Sequence, residues 1–317
     1  MSAEDGADVT RSSLALRDRV GSGGQGDVHA LADGSLLFKE YKDPSKVNGT
    51  ALADLVAFRQ SLGQSDRDHL DALAAWPLCR VVEEGRTLGF LMRRAPADMT
   101  WRTAAGSMKL LELQYLIRPP KVAWQEVAQP TPEQRRVLAL ACVEAIGWFH
   151  SAGLVIGDIS QANVLWTITP GTAVHFLDCD GFRRVGRAAV QAQAATPDWN
   201  DPLVPSTEAT VDTDAYKTAL VVGRIIGQDP YVMPGKELKL VDGCLNDRQG
   251  TAVRRLFTQA AGERGTRPRP SEWQTALSDR GTITLTAAAP RPRPAIDRTV
   301  LDGLRDRSPI NLRAPGR

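Results

Sequence analysis

The apolar positions change their period once along the chain. Over residues 14–91 they fall in short runs that partly alternate, with Asp33-Gly34 as a hairpin turn signal between runs at 28–31 and 36–41. One helical stretch interrupts these strands, residues 50–73, with Leu52, Leu55, Val56, Leu62, Leu70 and Leu73 at helix-like spacing. Pro77 and the turn at Glu84-Gly85 bracket further strands ending at Gly89-Phe90-Leu91-Met92. From about residue 100 the pattern becomes helical, and the strongest helix opens at Pro132 and runs through Leu138, Ala141, Val143, Ile146 and Phe149. Pro132 suits a first turn and Gly153 lies just past the end. Short strands are expected around Val155, Val164 and Phe176, then a turn-rich segment at 186–206, and helix again from Asp214. A strand-rich small part followed by a helix-rich larger part predicts an α+β protein of two lobes. The polar, acidic residues 1–13 read as a flexible leader, and the Pro/Arg-rich residues 281–317 as a tail that cannot build a core.

Composition narrows the function. The 317 residues carry 39 basic and 37 acidic side chains, and a net charge of +2 argues against a dedicated nucleic-acid binder. The length suffices for a sizeable core without staples. Cys79, Cys142, Cys179 and Cys244 show no metal-ligand spacing, so reduced thiols are expected, with neither a disulfide framework nor a zinc site. The most apolar runs, 137–149 and 219–226, contain Glu144 and Arg224 and are shorter than the roughly 20 residues of a membrane span. With no secretory signal at the N-terminus, a soluble cytoplasmic protein without membrane contact is expected.

Three groups of residues carry chemistry. Gly21-x-Gly23-x-x-Gly26-x-Val28 permits close approach of backbone amides to phosphates, because glycine has no Cβ. A hairpin signal follows these glycines where a dinucleotide fold needs a helix, so the loop is expected to join two antiparallel strands. Lys39 ends the next strand run and can reach phosphate oxygens under that loop. Farther on, Asp158 is followed five residues later by Asn163, and about fifteen residues after that by Asp178 in Leu177-Asp178-Cys179-Asp180-Gly181. Phosphoryl transfer needs a carboxylate for the accepting hydroxyl and oxygen ligands for magnesium, which this set supplies.

In order and spacing these residues resemble the eukaryotic-like protein kinase superfamily over residues 14–277. Trp148 to Asp158, Ala74-Ala75-Trp76-Pro77 and the Asp178 segment are similar to bacterial kinases often fused to helix-hairpin-helix segments, although no such segment is present. The resemblance implies a two-lobed kinase-like fold, with a strand-rich N-lobe at 14–97 and a helical C-lobe at 98–280. It implies ATP and magnesium as cofactors, with Gly21, Gly23, Gly26, Val28 and Lys39 on the nucleotide. Asp158 and Lys39 become the catalytic pair, and Asn163 and Asp178 the magnesium ligands. Thr196-Pro197 resembles the end of an activation segment, Asp214 the aspartate that braces the catalytic loop, and Arg269-Pro270-Ser271 a later landmark of the same lobe.

The chain also departs from the pattern. Ile156-Gly157 stand where His-Arg is usual, so no arginine is available there to bind a phosphorylated segment. Ser160 replaces a lysine, Cys179-Asp180 replace Phe-Gly, and Leu203 takes the place of a glutamate. Over residues 50–62 of the helical stretch after Lys39 the only carboxylate is Asp54, the candidate partner for that lysine. The expected activity is serine/threonine protein phosphorylation, with an unknown protein substrate and a regulatory partner engaged through the tail. The alternatives are a pseudokinase and, from Gly157-Asp158-x-x-x-x-Asn163, a small-molecule phosphotransferase. His150, on an apolar helix face, is expected to pack and hydrogen-bond in the core.

Overall fold

Short alternating runs at the start of the chain pair into a meander. The computed structural model describes residues 3–32, 34, 36–192, 195–204 and 208–279. After β1 (Val9–Thr10) come β2 (Leu16–Ser22), β3 (Gly26–Leu31) and β4 (Leu36–Tyr41), the last three antiparallel in sequence. Helices α1 (Gly49–Ser61) and α2 (Gln64–Leu73) intervene before β5 (Cys79–Glu83) and β6 (Arg86–Arg93). The result is one six-stranded sheet of order β1-β5-β6-β4-β3-β2, in which β1 alone lies parallel to its neighbour. The helical run expected over 50–73 is divided, because Leu62 and Gly63 take extended dihedrals between α1 and α2; glycine is a poor helix former.

The helical pattern expected from about residue 100 does not form there. Instead β7 (Thr100–Arg102) and β8 (Met108–Leu110) make a hairpin whose turn includes Gly106 at φ +82°. A single turn, α3 (Gln114–Ile117), precedes the long α4 (Pro132–Ser151). Thr131 caps α4 reciprocally with Gln134, with Pro132 in the first turn and Gly153 at φ +77° past the end. The two-residue strand β9 (Leu154–Val155) and the hairpin of β10 (Val164–Thr167) and β11 (Ala173–Phe176) follow, and β12 (Arg183–Arg184) returns to pair with β9. Helices α5 (Val211–Gly227), α6 (Asp247–Gln259) and α7 (Pro270–Leu277) complete the described chain. The fold is α+β, strand-rich first and helical later. The tail expected over 281–317 lies outside the described residues.

The sheet buries both faces, and the alternation along β4 shows how. Phe38 points to an outer cluster with Leu31, Cys79, Val81 and Leu91, which Val9, Leu14 and Leu16 cover. Tyr41, Phe90 and Met92 point the other way into a continuous core that reaches Trp76, α4 and α5. Phe149 stands edge-on to Phe176 and Phe182 near the middle of it. Residues 3–13 are therefore not a free leader. Two of their acids are ion-paired: Asp8 grips Arg80 at 2.8 and 2.5 Å, and Glu4 meets Arg59 at 2.8 Å and Arg93 at 2.6 Å, while Val9 shields the outer cluster. The four cysteines are buried free thiols whose pKa values burial pushes up. Among the described residues no helix is long and apolar enough to cross a membrane.

Gly89 in β6 sets how closely β4 approaches. A Cβ there would lie 1.9 Å from the Lys39 carbonyl oxygen and 2.7 Å from the Phe38 ring, so any side chain forces the two strands apart. Gly89→Ala is expected to destabilise the fold by about 1–3 kcal/mol, the cost of overpacking a core, measured as a lowered midpoint in urea unfolding.

Candidate active site

Helix α5 is buried from Thr213 to Ile226, unlike an amphipathic surface helix, and three of its buried side chains are charged. Asp214 has no exposure and accepts hydrogen bonds from the Ile156 and Gly157 backbone N–H groups at 2.7 and 2.9 Å, and from His150 Nε2 at 3.1 Å. One turn later Lys217 Nζ donates to the Gly157 carbonyl at 2.7 Å. Burial depresses the Lys217 ammonium, with the carboxylates of Asp158 and Asp214 opposing it. Gly157 lies at φ +76°, a left-handed conformation that suits glycine.

That framework presents Asp158. Asn163 Nδ2 donates to Asp158 Oδ2 and to its carbonyl oxygen, each at 2.9 Å, and Thr196 Oγ1 donates to Oδ1 at 3.2 Å. Each carboxylate oxygen of Asp158 thus has a donor. The Asn163 amide oxygen is left for another partner.

Lys39 comes from the sheet. In the register of β3, β4 and β6 it stands opposite Val28 and Phe90, and directly opposed residues share a face, so all three line the same side. Its ammonium is 2.7 Å from Asp180 Oδ1 and 3.4 Å from Asp178 Oδ1, and 5.8 Å from the Phe90 ring centroid. Burial alone would lower its pKa, but Asp180 and then Asp178 outweigh burial and hold the ammonium above its ordinary range. Asp54 forms no ion pair with it; the partner expected from α1 comes instead from the Asp178 loop.

That loop is a single 3-10 turn. Asp178 takes φ +52°, Gly181 N–H bonds back to the Asp178 carbonyl at 2.9 Å, and Cys179 is fully buried. The turn aims two carboxylates in different directions. Asp180 has a side chain 3% exposed and faces Lys39, whereas that of Asp178 is 55% exposed on the open side. Protein packed against the inner side of the Asp178 carboxylate still raises its pKa; Lys39 opposes this, and the neighbouring carboxylates of Asp180 and Asp158 add to it.

The glycines of the loop between β2 and β3 are not equivalent. A Cβ at Gly26 would stand 2.6 Å from the Glu40 carbonyl oxygen, so packing of β3 on β4 requires glycine there. At Gly21 and Gly23 a Cβ would meet nothing closer than 3.6 and 3.9 Å, and neither residue has a left-handed φ. Among the described residues nothing therefore excludes a side chain at those two positions. Gln25 at the tip reaches across to the Ala192 carbonyl at 3.3 Å.

Beyond Thr196 the chain is pinned from α5 and from the segment just before α7. Buried Arg224 donates to the Asp198 carbonyl at 2.6 Å and lies over the Trp199 ring at 4.5 Å; burial lowers its pKa to about 10. Leu203 is exposed, and the buried acid of this segment is Asp201, held by both terminal guanidinium nitrogens of Arg267, with Nη2 to Oδ1 at 2.9 Å. Breaking one side of such a pair costs about 3–5 kcal/mol. Sequence reasoning missed Asp180, Lys217, Asp201 and Arg267 as a working set. For Lys217 a signal existed, since a cation three residues after Asp214 inside an apolar helix falls on the same face. For Asp201 and Arg267 there was none, because 66 residues separate them.

The sequence-derived residues therefore converge: Asp158, Asn163 and Thr196 in one hydrogen-bonded group, Lys39 with Asp178, and Val28 opposite Lys39 at the mouth of the glycine loop. Among the described residues no three His, Cys, Asp or Glu side chains form a metal cage by themselves. Comparison of the chain with family models and with curated proteins finds no match.

The Asp178 environment yields a stability test. Its folded pKa is raised, so its contribution to stability is present below the ordinary carboxylate pKa and is lost as pH rises through the raised value. Asparagine removes that charge and tolerates the left-handed backbone. Asp178→Asn without nucleotide is expected to melt slightly above the parent at pH 7 and level with it near pH 3, as read by calorimetry.

Proposed function

We propose that the chain is an ATP-dependent serine/threonine protein kinase with a two-lobed kinase-like arrangement, residues 14–97 forming the strand-rich lobe and 98–280 the helical one. The observation that carries this reading is the buried Lys39 ammonium, 3.4 Å from a solvent-facing Asp178, on the face of the sheet shared with Val28. Phosphate binding under a glycine loop is the chemistry such a cation serves, and the room at Gly21 and Gly23 supports it.

The donor set fits a magnesium nucleotide. Magnesium takes oxygen ligands from one or two side chains plus the phosphates, which suits the free Asn163 amide oxygen and the exposed Asp178 carboxylate without a cage of three acids. Bound with ATP, magnesium supplies neutralisation of phosphate charge. Lys39 orients the α and β phosphates. Asp158, its carboxylate held by Asn163 and Thr196, orients the acceptor hydroxyl and takes up its proton. The hydroxyl oxygen then bonds to the γ phosphorus while the bond to the β–γ bridging oxygen breaks, its electron pair leaving with ADP. The hydrogen bond from Thr196 ties the segment at 195–204 to Asp158 and favours a protein acceptor over a small molecule. A cytoplasmic location and a regulatory partner for the tail belong to the same proposal.

Purified protein given labelled ATP, magnesium and a generic protein acceptor is expected to transfer phosphate to serine or threonine, located by phosphosite mapping. Asp158→Asn should slow transfer by about 10² or more while leaving nucleotide affinity near the parent value. Asp178→Asn should weaken magnesium-dependent binding in calorimetry. Equal loss of binding in both variants, or no heat from the parent with millimolar ATP and magnesium, contradicts the assignment.

A further inference from the structure

We propose that Asp180 is the positioning residue for Lys39, so that the phosphate-binding lysine and the metal-binding carboxylate are set by one 3-10 turn and not by helix α1. This rests on the phosphotransfer reading above. Lys39 and Asp180 are each 4% exposed and 2.7 Å apart, whereas α1 offers only Asp54, which does not reach the lysine. A buried ammonium needs a partner, because an unpaired charge away from water is strongly unfavourable. The partner is fixed from three directions: Asp178 in a left-handed conformation before it, Cys179 in the core, and Gly181 bonded back to Asp178. The carboxylates at 178 and 180 cannot move independently across so short a turn. Tyr41, two residues beyond Lys39 on β4 and so on the same face, adds a buried hydroxyl whose pKa burial raises first and the charge of Asp180 second.

Helix α1 packs against β12, just after the turn, but its polar contacts do not involve Lys39 or Asp180. Its Arg59 pairs with Asp71 and Glu4, its Leu55 carbonyl accepts from the Trp76 indole at 2.9 Å, and the backbone N–H of its capping Asn48 donates to the Val190 carbonyl at 2.8 Å. A movement of α1 would leave the lysine and its carboxylate together. The site is thereby constitutively assembled with respect to that helix.

The test is a double-mutant cycle on the whole chain, read by nucleotide affinity in calorimetry and by initial transfer rate. Asp180→Asn is expected to lower kcat/KM by about 10² or more, and Asp54→Asn to leave it within about twofold. If Asp180 acts through Lys39, adding Asp180→Leu to Lys39→Met costs nothing further in affinity or rate, since the lysine it positions is gone. That double variant leaves no buried charge alone and is expected to fold even where Asp180→Asn does not. Full transfer by Asp180→Asn, a double variant at least tenfold weaker than Lys39→Met, or a large loss in Asp54→Asn would each overturn the inference while leaving the kinase reading intact. A parent chain that neither binds nor transfers overturns that reading and this inference with it.

Discussion

A carboxylate with no access to water must be met by protein donors, and Asp214 is that group here. Its three donors come from α4 and from the two residues before Asp158, so satisfying one buried charge fixes the helix, the loop and the spacing between them. An unmet carboxylate in this position would cost several kcal/mol, far more than any loop contact could recover. Lys217 completes the arrangement by donating to the carbonyl between Asp158 and that anchored backbone. The chemistry-bearing loop is short and exposed in part, yet it is held from beneath by a helix that solvent never reaches.

The same device recurs around the site. Arg224 holds the Asp198 carbonyl, Arg267 holds Asp201, and Asp180 holds Lys39, each a buried charge facing a partner far away in sequence. Buried charge pairs give little net stability compared with apolar packing, but they tolerate few alternative geometries. The hydrophobic core supplies the energy and these pairs supply the positions. Helix α4 does both at once, since beside its apolar face it buries Arg135, which donates to the Leu116 and Ile225 carbonyls at 2.8 and 2.9 Å.

Much of this could be read from residue order. The β4 boundaries, the start of α4 at Pro132, and the grouping of Asp158 with Asn163 follow from local periodicity and turn chemistry, which act over a few residues. Local signals failed where packing decides. The hairpin at Thr100–Leu110 has apolar spacing compatible with a helix, and only the left-handed Gly106 turn breaks it. Acidic residues before Thr10 look solvated until their arginine partners, up to 89 positions away, are known. Asp180 could be seen only as a departure from a pattern, because its role depends on a lysine 141 residues earlier.

The unequal glycines of the β2–β3 loop bear on how such a chain would drift. Gly26 answers to the backbone of the next strand, whereas at Gly21 and Gly23 a Cβ would make only ordinary contacts among the described residues. If the loop binds phosphate as proposed, a lineage that lost that binding would accumulate substitutions at the first two positions and purge them at the third, since only the third endangers folding. The loop thus carries two selective pressures within six residues, and the order in which its glycines erode would record which pressure relaxed first.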